Sequence, residues 1–452
     1  MEKFKEYEKF NFDKTEFVGY ETLKTKSTVL ELFDSNYQSV KALTGEGYVF
    51  FDKTPFYAMS GGQASDQGII KFKNQQFDVI DVRKDLVYGY FIHQINLGDQ
   101  ILKIGDVVET KVDSEWRRLT SINHSSIHIM WQSTIKNVGH YIYEIGSKLD
   151  KYKYQLQFEN DELLTEDLVM KVTNIFNNEI IPANIKSNIF NVTQAEAIEK
   201  EYLYEFTKIS GDELVRMVEF PGIVIEPCSG THVDSTGEIK QTWFLDFDKN
   251  SKRTLIEMTS NPDYANEYFT AKLNTRLEEI KATINRGVNN NINYDFKELL
   301  NEAESLLNQW NYLSIKRINE IHNEIILIVN KYLKELERDL VQKINQSTFE
   351  FNSVGNYLIL ETAEDLYTNK MFLSKISQEV SHNPEKVIVF INKSSAGVNT
   401  ILMRNKNLDI NLKLLLANIL ENTKFNGGGT ESMIQLTSND SHDLEKLKEI
   451  LR

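Results

Sequence analysis

The chain has 452 residues, a formal net charge of −15 at pH 7 and a single cysteine. This length is enough for three or four domains that each bury a core, and one cysteine excludes a disulfide framework and fits a reducing cytoplasm. The charged start, and the absence of any run of about 18 apolar residues, predict neither a secretory signal nor a membrane span. The acidic balance also argues against a nonspecific nucleic-acid binder, because such binding depends on neutralising phosphates.

Short alternating β-type runs dominate the first part of the chain, from about residue 11 to residue 112. The runs at 48–51 and 77–82 are separated by turns rich in glycine and aspartate, a pattern typical of a small barrel. Residues 1-112 are therefore predicted to form a β-barrel domain. Within it, the paired glycines before Gln63 predict a loop whose backbone approaches a ligand closely. The alternative for that loop is a plain glycine hairpin turn.

Helical spacing takes over at residues 116–137, where apolar residues recur at helical intervals and Gly139 marks a C-terminal stop. This predicted helix carries His124 and His128. Residues four positions apart share one helix face, so both imidazoles are predicted to reach a single ion. Taken alone, the pair has the alternative of two partly buried helix histidines.

The only cysteine opens a second spaced pair, Cys228 and His232, with the same three-residue gap. Proline and glycine around it predict a turn between strands at 222–226 and 238–247. The histidine pair on the helix and the cysteine–histidine pair in the turn together supply the nitrogen and sulfur ligands of a tetrahedral Zn2+ site. The alternative for Cys228 alone is a small core residue. The sequence therefore predicts a metal centre in a two-layer α+β domain at residues 113-261.

Only helical patterns follow at residues 262-346, which are predicted to form a coiled-coil-like spacer. Its helices are expected at 268–284, 299–313 and 318–344. An asparagine-rich polar loop after the first of them bends the spacer back on itself. The remaining residues, 347-452, alternate β-rich runs with helices and predict an α/β module.

A run of three glycines, Gly427, Gly428 and Gly429, lies in this last module and is predicted to form a loop. No lysine followed by serine or threonine accompanies it, so it is not a nucleoside-triphosphate loop. The predicted fold class is thus α+β and multidomain. Its parts are an N-terminal β-barrel, a two-layer α+β zinc-containing domain, a helical spacer and a C-terminal α/β module.

The two ligand motifs resemble those of the editing domain of alanyl-tRNA synthetases and of the freestanding AlaX proteins. The first motif is Asn-His-Ser-Ser-Ile-His at 123–128, and the second, more specific one is Cys-Ser-Gly-Thr-His-Val at 228–233. Upstream, the loop at 54–68 resembles the barrel that precedes this domain in the family. Downstream, the three glycines resemble the C-terminal domain that contacts tRNA. The resemblance covers nearly the whole chain, in the same order.

The resemblance implies a long AlaX-type hydrolase that edits mischarged Ser-tRNA(Ala) or Gly-tRNA(Ala) in trans in the cytoplasm. It implies zinc held by the two histidine and cysteine motifs, tRNA contact at the three glycines, and Gln63 and Glu144 as residues of the catalytic pocket. Glu144 stands where related synthetases often have glutamine, and its alternative is a surface glutamate. Because the barrel begins within the first few dozen residues, alanine activation is not expected. A homodimer formed through the spacer or the C-terminal module is a further expectation.

Two other functions stay open. One is a zinc-containing tRNA-binding protein without catalysis, favoured by the glutamate at 144 and by the altered residues after the three glycines. The other is an unrelated metallohydrolase, although the segment between His124 and His128 lacks the glutamate of a His-Glu-x2-His protease. Basic patches at Arg117-Arg118 and around Lys249 are candidates for local RNA contact. Their alternative is a solvated turn or helix end.

Overall fold

The structure is a computed structural model that describes residues 13–85, 88–200, 202, 214–290 and 292–452. The predicted start of the barrel at residue 11 lies outside these residues. The chain divides into two compact units, which comprise Met1–Thr275 with Ser305–Arg317 and Arg276–Glu304 with Ile318–Arg452. None of the described helices is both long enough and apolar enough to cross a membrane. The mixed α+β, multidomain architecture agrees with the predicted fold class.

A closed barrel forms the beginning of the first unit, as the alternating runs predicted. Its strands among the described residues are β1 (Glu16–Phe17), β2 (Lys24–Asp34), β3 (Ala42–Leu43), β4 (Glu46–Phe51), β5 (Lys53–Thr54), β6 (Gly68–Phe72), β7 (Gln75–Lys84), β8 (Phe91–Asn96), β9 (Leu102–Lys103) and β10 (Val107–Val112). Within this described set, six strands close the barrel in the order β10-β2-β4-β8-β7-β6. Val49, Ile70 and Ile95 are buried in its core, because alternate residues of each strand face inward.

One histidine is buried in the barrel wall. His93 in β8 is fully buried, its Nδ1 lies 3.2 Å from the carbonyl oxygen of Val49, and its Nε2 lies 2.8 Å from Thr54 Oγ1. Both contacts suit a neutral ring that donates from Nδ1 and accepts at Nε2. Burial lowers the pKa of His93 from 6.5 to about 4, because a charged imidazole would lose its hydration.

This depressed pKa predicts a barrel that is less stable in mild acid. The unfolded chain protonates His93 below pH 6.5, whereas the folded chain does so only near pH 4, so stability is lost as the pH falls through this window. Protonation of His93 in the unfolded chain should lower the free energy of unfolding by about 2 kcal/mol between pH 7 and pH 5. Urea denaturation of the full chain at both pH values, beside His93→Gln, measures this. An equal pH dependence in the variant would show that His93 does not contribute.

The α+β region of the first unit begins with the long helix α1 (Ser114–Val138), close to its predicted bounds. The Asp113 carboxylate caps it by accepting hydrogen bonds from the backbone N–H groups of Glu115 and Trp116, which otherwise lack partners in a first turn. The helix ends at Gly139, whose φ of 91° lies in the left-handed region. Glycine adopts this conformation without strain, so the predicted stop is correct.

Two antiparallel sheets accompany this helix. The other elements described in this region are β11 (Glu144–Leu149), β12 (Tyr154–Glu159), α2 (Glu166–Ile175), β13 (Asn188–Val192), α3 (Gln194–Glu199), β14 (Val215–Phe220), β15 (Val224–Pro227), β16 (Trp243–Lys249) and β17 (Arg253–Thr259). The strand orders are β11-β12-β17-β16 and β13-β14-β15. Ile127, Met130, Leu156 and Ile256 belong to one buried core that joins α1 to the larger sheet. A helix packed on a sheet is a two-layer α+β arrangement.

The strand predicted after the metal-binding turn starts later than expected. Glu238 turns back and accepts hydrogen bonds from the backbone N–H groups of Asp234 and Ser235, and the chain forms a short 3-10 turn at Thr236–Glu238. β16 begins only at Trp243. The prediction of a strand from residue 238 is wrong, because these local side-chain hydrogen bonds replace the pairing of a sheet.

Helices alone follow in the next described residues, as predicted. They are α4 (Pro262–Asn289), α5 (Lys297–Leu306) and α6 (Tyr312–Gln346). α4 and α6 are longer than predicted, whereas α5 ends before residue 313. Asn311 explains the difference, because its Oδ1 accepts a hydrogen bond from the Ser314 N–H and so begins a new helix there.

The second unit ends in an α/β module. Its described elements are β18 (Asn352–Val354), β19 (Tyr357–Thr362), α7 (Asn369–His382), β20 (Val387–Ser394), β21 (Gly397–Arg404), α8 (Leu412–Asn422), β22 (Asn426–Gly429), β23 (Met433–Ser438) and α9 (His442–Ile450). The strands form a sheet in the order β18-β19-β20-β21-β23-β22. Val389, Phe390 and Ile401 are fully buried in its middle strands, which fixes the sheet as the centre of this module's core.

The three glycines lie in a strand and not in the predicted loop. They belong to β22, which pairs antiparallel with β23 at one edge of the sheet, and all three are exposed. A Cβ at Gly427 would lie 2.0 Å from the carbonyl oxygen of Gln435, and a Cβ at Gly429 would lie 2.1 Å from that of Met433. The missing side chains therefore let the two backbones approach, and the run forms an open sheet edge.

Candidate metal centre

The two histidines of α1 lie on one face of the helix, as their spacing predicted. The ring centroids of His124 and His128 are 5.0 Å apart, and the rings are almost parallel, with an interplanar angle of 7°. His124 is buried, and the His128 side chain is 14% exposed. The helix therefore presents two parallel imidazoles to the same space.

The turn after β15 supplies the other pair. The Cys228 N–H donates to the carbonyl oxygen of Arg216 at 3.0 Å, and Arg216 Nη1 donates to the carbonyl oxygen of Cys228 at 2.6 Å. The Gly230 N–H donates to Cys228 Sγ at 3.3 Å. A Cβ at Gly230 would lie 2.0 Å from the His124 ring, so only glycine fits there. The turn is thus held from the neighbouring strand and passes directly beside the helix.

The four side chains converge on one point. Each of His124, His128, Cys228 and His232 offers one ligand atom, and these atoms all lie within 4.8 Å of one another. Cys228 Sγ is 3.4 Å from His124 Nε2 and 3.3 Å from His232 Nε2. A tetrahedron with metal–ligand bonds of about 2.0–2.3 Å has edges of roughly 3.3–3.8 Å. The predicted ligands are therefore brought together at spacings suited to a metal ion.

An unpaired nitrogen faces this cluster. His128 Nε2 is buried and has no hydrogen-bond partner within the described part of the chain. Buried polar atoms rarely lack a partner in proteins unless a water or an ion satisfies them. Three imidazoles and one thiolate are also ligands that Zn2+ prefers. The residues present fit a zinc ion.

The electrostatics of the cluster favour the protonation states that bind metal. Burial opposes ionisation of the Cys228 thiol, but His124 and His232 outweigh it and hold the pKa of Cys228 well below its usual value. Burial lowers the pKa of His124 and lowers that of His232 to about 3. The fourth ligand differs: burial lowers the pKa of His128, but the charges of Glu226 and Cys228 outweigh burial and hold it well above 6.5. Two neutral imidazoles and a thiolate are thus already in the state that binds zinc, whereas metal binding would displace a proton from His128.

The second ring nitrogen of each histidine meets a polar side chain. The Nδ1 distances are 2.6 Å from His124 to Gln63 Oε1, 2.5 Å from His128 to Glu226 Oε2, and 3.2 Å from His232 to Ser125 Oγ. Such contacts decide which ring nitrogen carries the hydrogen and which one faces the metal. All three rings therefore have a fixed partner on the side away from the cluster.

Gln63, which the sequence assigns to the catalytic pocket, is fully buried. Its Oε1 also accepts from the Thr231 N–H, and its Nε2 donates to Thr231 Oγ1, each at 3.0 Å. Its side chain thus joins His124 of the helix to the ligand turn. The exposed part of its loop is the preceding Met59-Ser60-Gly61-Gly62 segment.

Glu144, the other pocket residue assigned from sequence, lies partly exposed at the start of β11. Burial raises the pKa of the Glu226 carboxyl, and the negative charge of Glu144 adds a smaller increase. The far end of β11 is tied to the barrel loop, because the Leu149 N–H donates to the carbonyl oxygen of Gly62 at 2.9 Å. A role for Glu144 in the pocket stays a prediction. The three glycines of β22 belong to the second compact unit and are not part of this cluster.

Arg117 is not part of an exposed basic patch, contrary to the sequence-based expectation. It is buried and paired with the Asp66 carboxylate, and its guanidinium also donates to the carbonyl oxygens of Gly19 and Pro55. The second predicted patch is engaged within the protein too, since Lys249 Nζ donates to two backbone carbonyls. Pairing inside the fold therefore removes Arg117 and Lys249 as simple RNA contacts. Arg118 is half-exposed and pairs with Glu115 on the helix surface, so RNA contact there stays a prediction.

Two residues near the centre were missed by the sequence analysis. Glu226 had a signal, because strand alternation puts it on the buried face of β15, where a carboxylate is rare unless it is paired. Tyr20 had none. Its hydroxyl donates to the carbonyl oxygen of Ser229 at 2.5 Å across 209 residues of chain, and the Arg216 guanidinium lies 4.3 Å from the centroid of its ring.

Two regions of the chain match known families. Residues 1–116 match the family described as tRNA synthetases class II (A), and residues 215–254 match the Threonyl and Alanyl tRNA synthetase second additional domain. The alanine–tRNA ligase of Mesoplasma florum is 26% identical over 86% of this chain and 44% of its own length. That of Petrotoga mobilis is 34% identical over 52% of this chain and 27% of its own length.

Over most of its length the chain is similar in sequence to alanyl-tRNA synthetases. The resemblance that the two ligand motifs predicted is thereby confirmed. This synthetase-related chain spans about half the length of the curated relatives it matches. A solved C-Ala domain from Aquifex aeolicus alanyl-tRNA synthetase aligns with 22% of this chain and 96% of that domain, at 16% identity. Its TM-score of 0.20 is too low to support an argument about the fold.

The cluster predicts one zinc ion per chain. Cys228→Ala and His232→Ala should each lose the metal from the purified protein, because either change removes one of four ligands from a tetrahedral site. His140→Ala is the matched control, since His140 is half-exposed and pairs with Asp161 outside the cluster. Elemental analysis of the dialysed proteins measures zinc directly. Full zinc occupancy in both ligand variants would show that the ligand assignment is wrong.

Proposed function

We propose that this synthetase-related chain is a trans-editing hydrolase that deacylates mischarged Ser-tRNA(Ala) or Gly-tRNA(Ala), without aminoacylation activity of its own. The observation that carries the proposal is the convergence of His124, His128, Cys228 and His232 beside the barrel loop. The family match at residues 215–254 supports it, because that region includes the cysteine motif. ATP–pyrophosphate exchange with alanine tests separately whether aminoacylation is absent.

The chain's own residues would bind and orient the ester. The partly exposed Glu144 would put negative charge near the centre, which would favour the positive α-amino group of an aminoacyl ester over neutral ligands. The exposed Gly61 and Gly62, with φ angles of 56° and 81°, let the loop backbone come close to a substrate. Bound zinc would polarise the ester carbonyl or lower the pKa of a water molecule.

Gln63 takes a positioning role in this proposal. Both ends of its amide are already used, by His124 and by Thr231, so it orients one ligand and the ligand turn. Substrate contact at the barrel loop then falls to Ser60 and the two glycines. This assignment keeps Gln63 within the catalytic site but away from the reacting atoms.

The expected substrates follow from the limits of recognition. A synthetase site made for alanine cannot strongly reject glycine or serine by binding alone, which creates the need for a second, hydrolytic site. A site that hydrogen-bonds the serine hydroxyl discriminates well against a substrate that lacks it. Cytoplasmic location is part of the proposal, because aminoacylated tRNA is used there.

The proposal predicts selective hydrolysis. The protein should deacylate Ser-tRNA(Ala) at least about tenfold faster than Ala-tRNA(Ala), measured as release of labelled amino acid under single-turnover conditions. His128→Ala should abolish this hydrolysis and leave tRNA affinity nearly intact, whereas His140→Ala should behave like the unchanged protein. Equal rates of hydrolysis for the two esters would exclude the editing function. So would zinc-loaded protein that hydrolyses neither ester.

A non-catalytic zinc-containing tRNA-binding protein is the second candidate. One observation favours it: four protein donors lie within 4.8 Å of one another, which is the number of ligands that closes a structural zinc site. Zinc-loaded protein that binds tRNA but does not deacylate it would support this candidate. An unrelated metallohydrolase is the third, and it requires hydrolysis of peptides with no action on charged tRNA.

We propose that the exposed edge of β22 contacts tRNA. Gly428 offers the cleanest test, because a Cβ there would meet no other atom within 4 Å, so substitution leaves the strand intact. Gly428→Asp should raise KM for charged tRNA by roughly threefold to tenfold without changing kcat, since it repels phosphates far from the reacting ester. Gly428→Ser is the neutral control. A KM unchanged in the aspartate variant would exclude RNA contact at this edge.

A homodimer through the spacer or C-terminal module stays a proposal for light scattering to test.

A further inference from the structure

Glu226 is a buried carboxylate with an incomplete set of partners. Its side chain is 10% exposed, and its Oε2 lies 2.5 Å from His128 Nδ1. Its Oε1 is buried and has no hydrogen-bond partner among the described residues. In that part of the chain no lysine or arginine forms an ion pair with it. A carboxylate is costly to bury unless a charge or several donors compensate it.

The three histidines of the cluster differ in the partner behind the ring. His124 meets a neutral amide oxygen and His232 meets a hydroxyl, whereas His128 alone meets a carboxylate. His128 is also the ligand whose other nitrogen has no partner in the described structure. The strongest outer hydrogen bond therefore acts on the ring whose inner nitrogen is free to bind the ion.

The charge of a loaded site explains why this partner is a carboxylate. A divalent ion bound by one thiolate and three neutral imidazoles leaves one positive charge in a largely buried place. Uncompensated buried charge is strongly unfavourable. The Glu226 carboxyl, one imidazole ring away from the bound ion, is placed to compensate that charge.

We infer that Glu226 is a positioning residue of the metal centre. It accepts the Nδ1–H of His128, holds the tautomer that presents Nε2 to the ion, and balances the charge of the loaded site. The inference rests on the proposed zinc centre and is independent of whether the centre hydrolyses esters. Loss of such an outer partner costs metal sites about 10- to 100-fold in affinity.

The test compares zinc affinity of the full-length chain with that of Glu226→Gln, Glu226→Ala and Glu219→Gln. Glu219 is the matched control, because it lies partly exposed on the adjacent strand, opposite Ile225, and bonds Asn188 away from the cluster. Competition with a chromophoric chelator should give about 10- to 100-fold weaker zinc binding in Glu226→Gln and an unchanged value in Glu219→Gln. The alanine variant should be weaker still, because it also loses the hydrogen-bond acceptor.

Cobalt substitution gives a readout that a merely structural role would not move. The visible bands of the Co2+-loaded protein report its ligand field, so they should shift in Glu226→Gln and not in Glu219→Gln. Equal zinc affinity and equal cobalt spectra in Glu226→Gln would overturn the inference and leave the zinc centre standing. An unchanged chain that binds no zinc would overturn both. If Glu226→Gln does not fold, Glu226→Asp repeats the comparison, because it keeps the carboxylate and lengthens the contact to His128. A zinc affinity of Glu226→Asp equal to that of the wild-type chain would then contradict the positioning role.

Discussion

A buried ion pair between Arg117 and Asp66 fixes the metal-binding helix against the barrel. Arg117 belongs to the first turns of α1, and its guanidinium bonds the Asp66 carboxylate together with the carbonyl oxygens of Gly19 and Pro55. Asp66 in turn accepts from the Tyr57 N–H. Loss of either partner would leave a buried charge uncompensated. This ion pair fixes the first turn of α1 on the barrel, while the apolar core holds the rest of the helix on the sheet, and together they place its histidines.

The barrel also supplies contacts to the metal centre itself. Gln63 belongs to the same loop as Asp66, and its side chain bonds both His124 and Thr231. The Tyr20 hydroxyl donates to the carbonyl oxygen of Ser229. The buried hydrogen bonds of Gln63 are strong and mutually restrictive, and the Tyr20 contact adds a second attachment, so the ligand turn has little freedom. The barrel and the α+β region are therefore one functional unit in which the first orients the ligands of the second.

The acidic net charge and the proposed RNA substrate are compatible because recognition depends on local groups. Arg216 lies beside the ligand turn and stacks on the exposed ring of Tyr20, and the described structure gives it no carboxylate partner. The exposed backbone edge of β22 carries no side chains at its glycines. Sites of this kind contact RNA through a few positioned donors and through close approach of the protein backbone, and the net charge of the chain does not describe either.

The sequence by itself determined the elements and the ligands whose signals are local. Apolar spacing and the Gly139 stop gave α1 to within two residues at each end, and the two three-residue gaps were enough to select four residues that lie together in space. Barrel strands were visible because alternation needs only neighbouring residues. In each case the information lies within a few positions along the chain.

Only the tertiary structure decided which partners these residues have. Arg117 was predicted as a surface cation and is buried, because Asp66 meets it from 51 residues away. Glu226 faces His128 across 98 residues, and Gln63 meets Thr231 across 168. The three glycines form a strand because β23 lies beside them. Pairings between distant segments depend on how the layers pack, and no periodicity or spacing in one stretch of sequence carries that information.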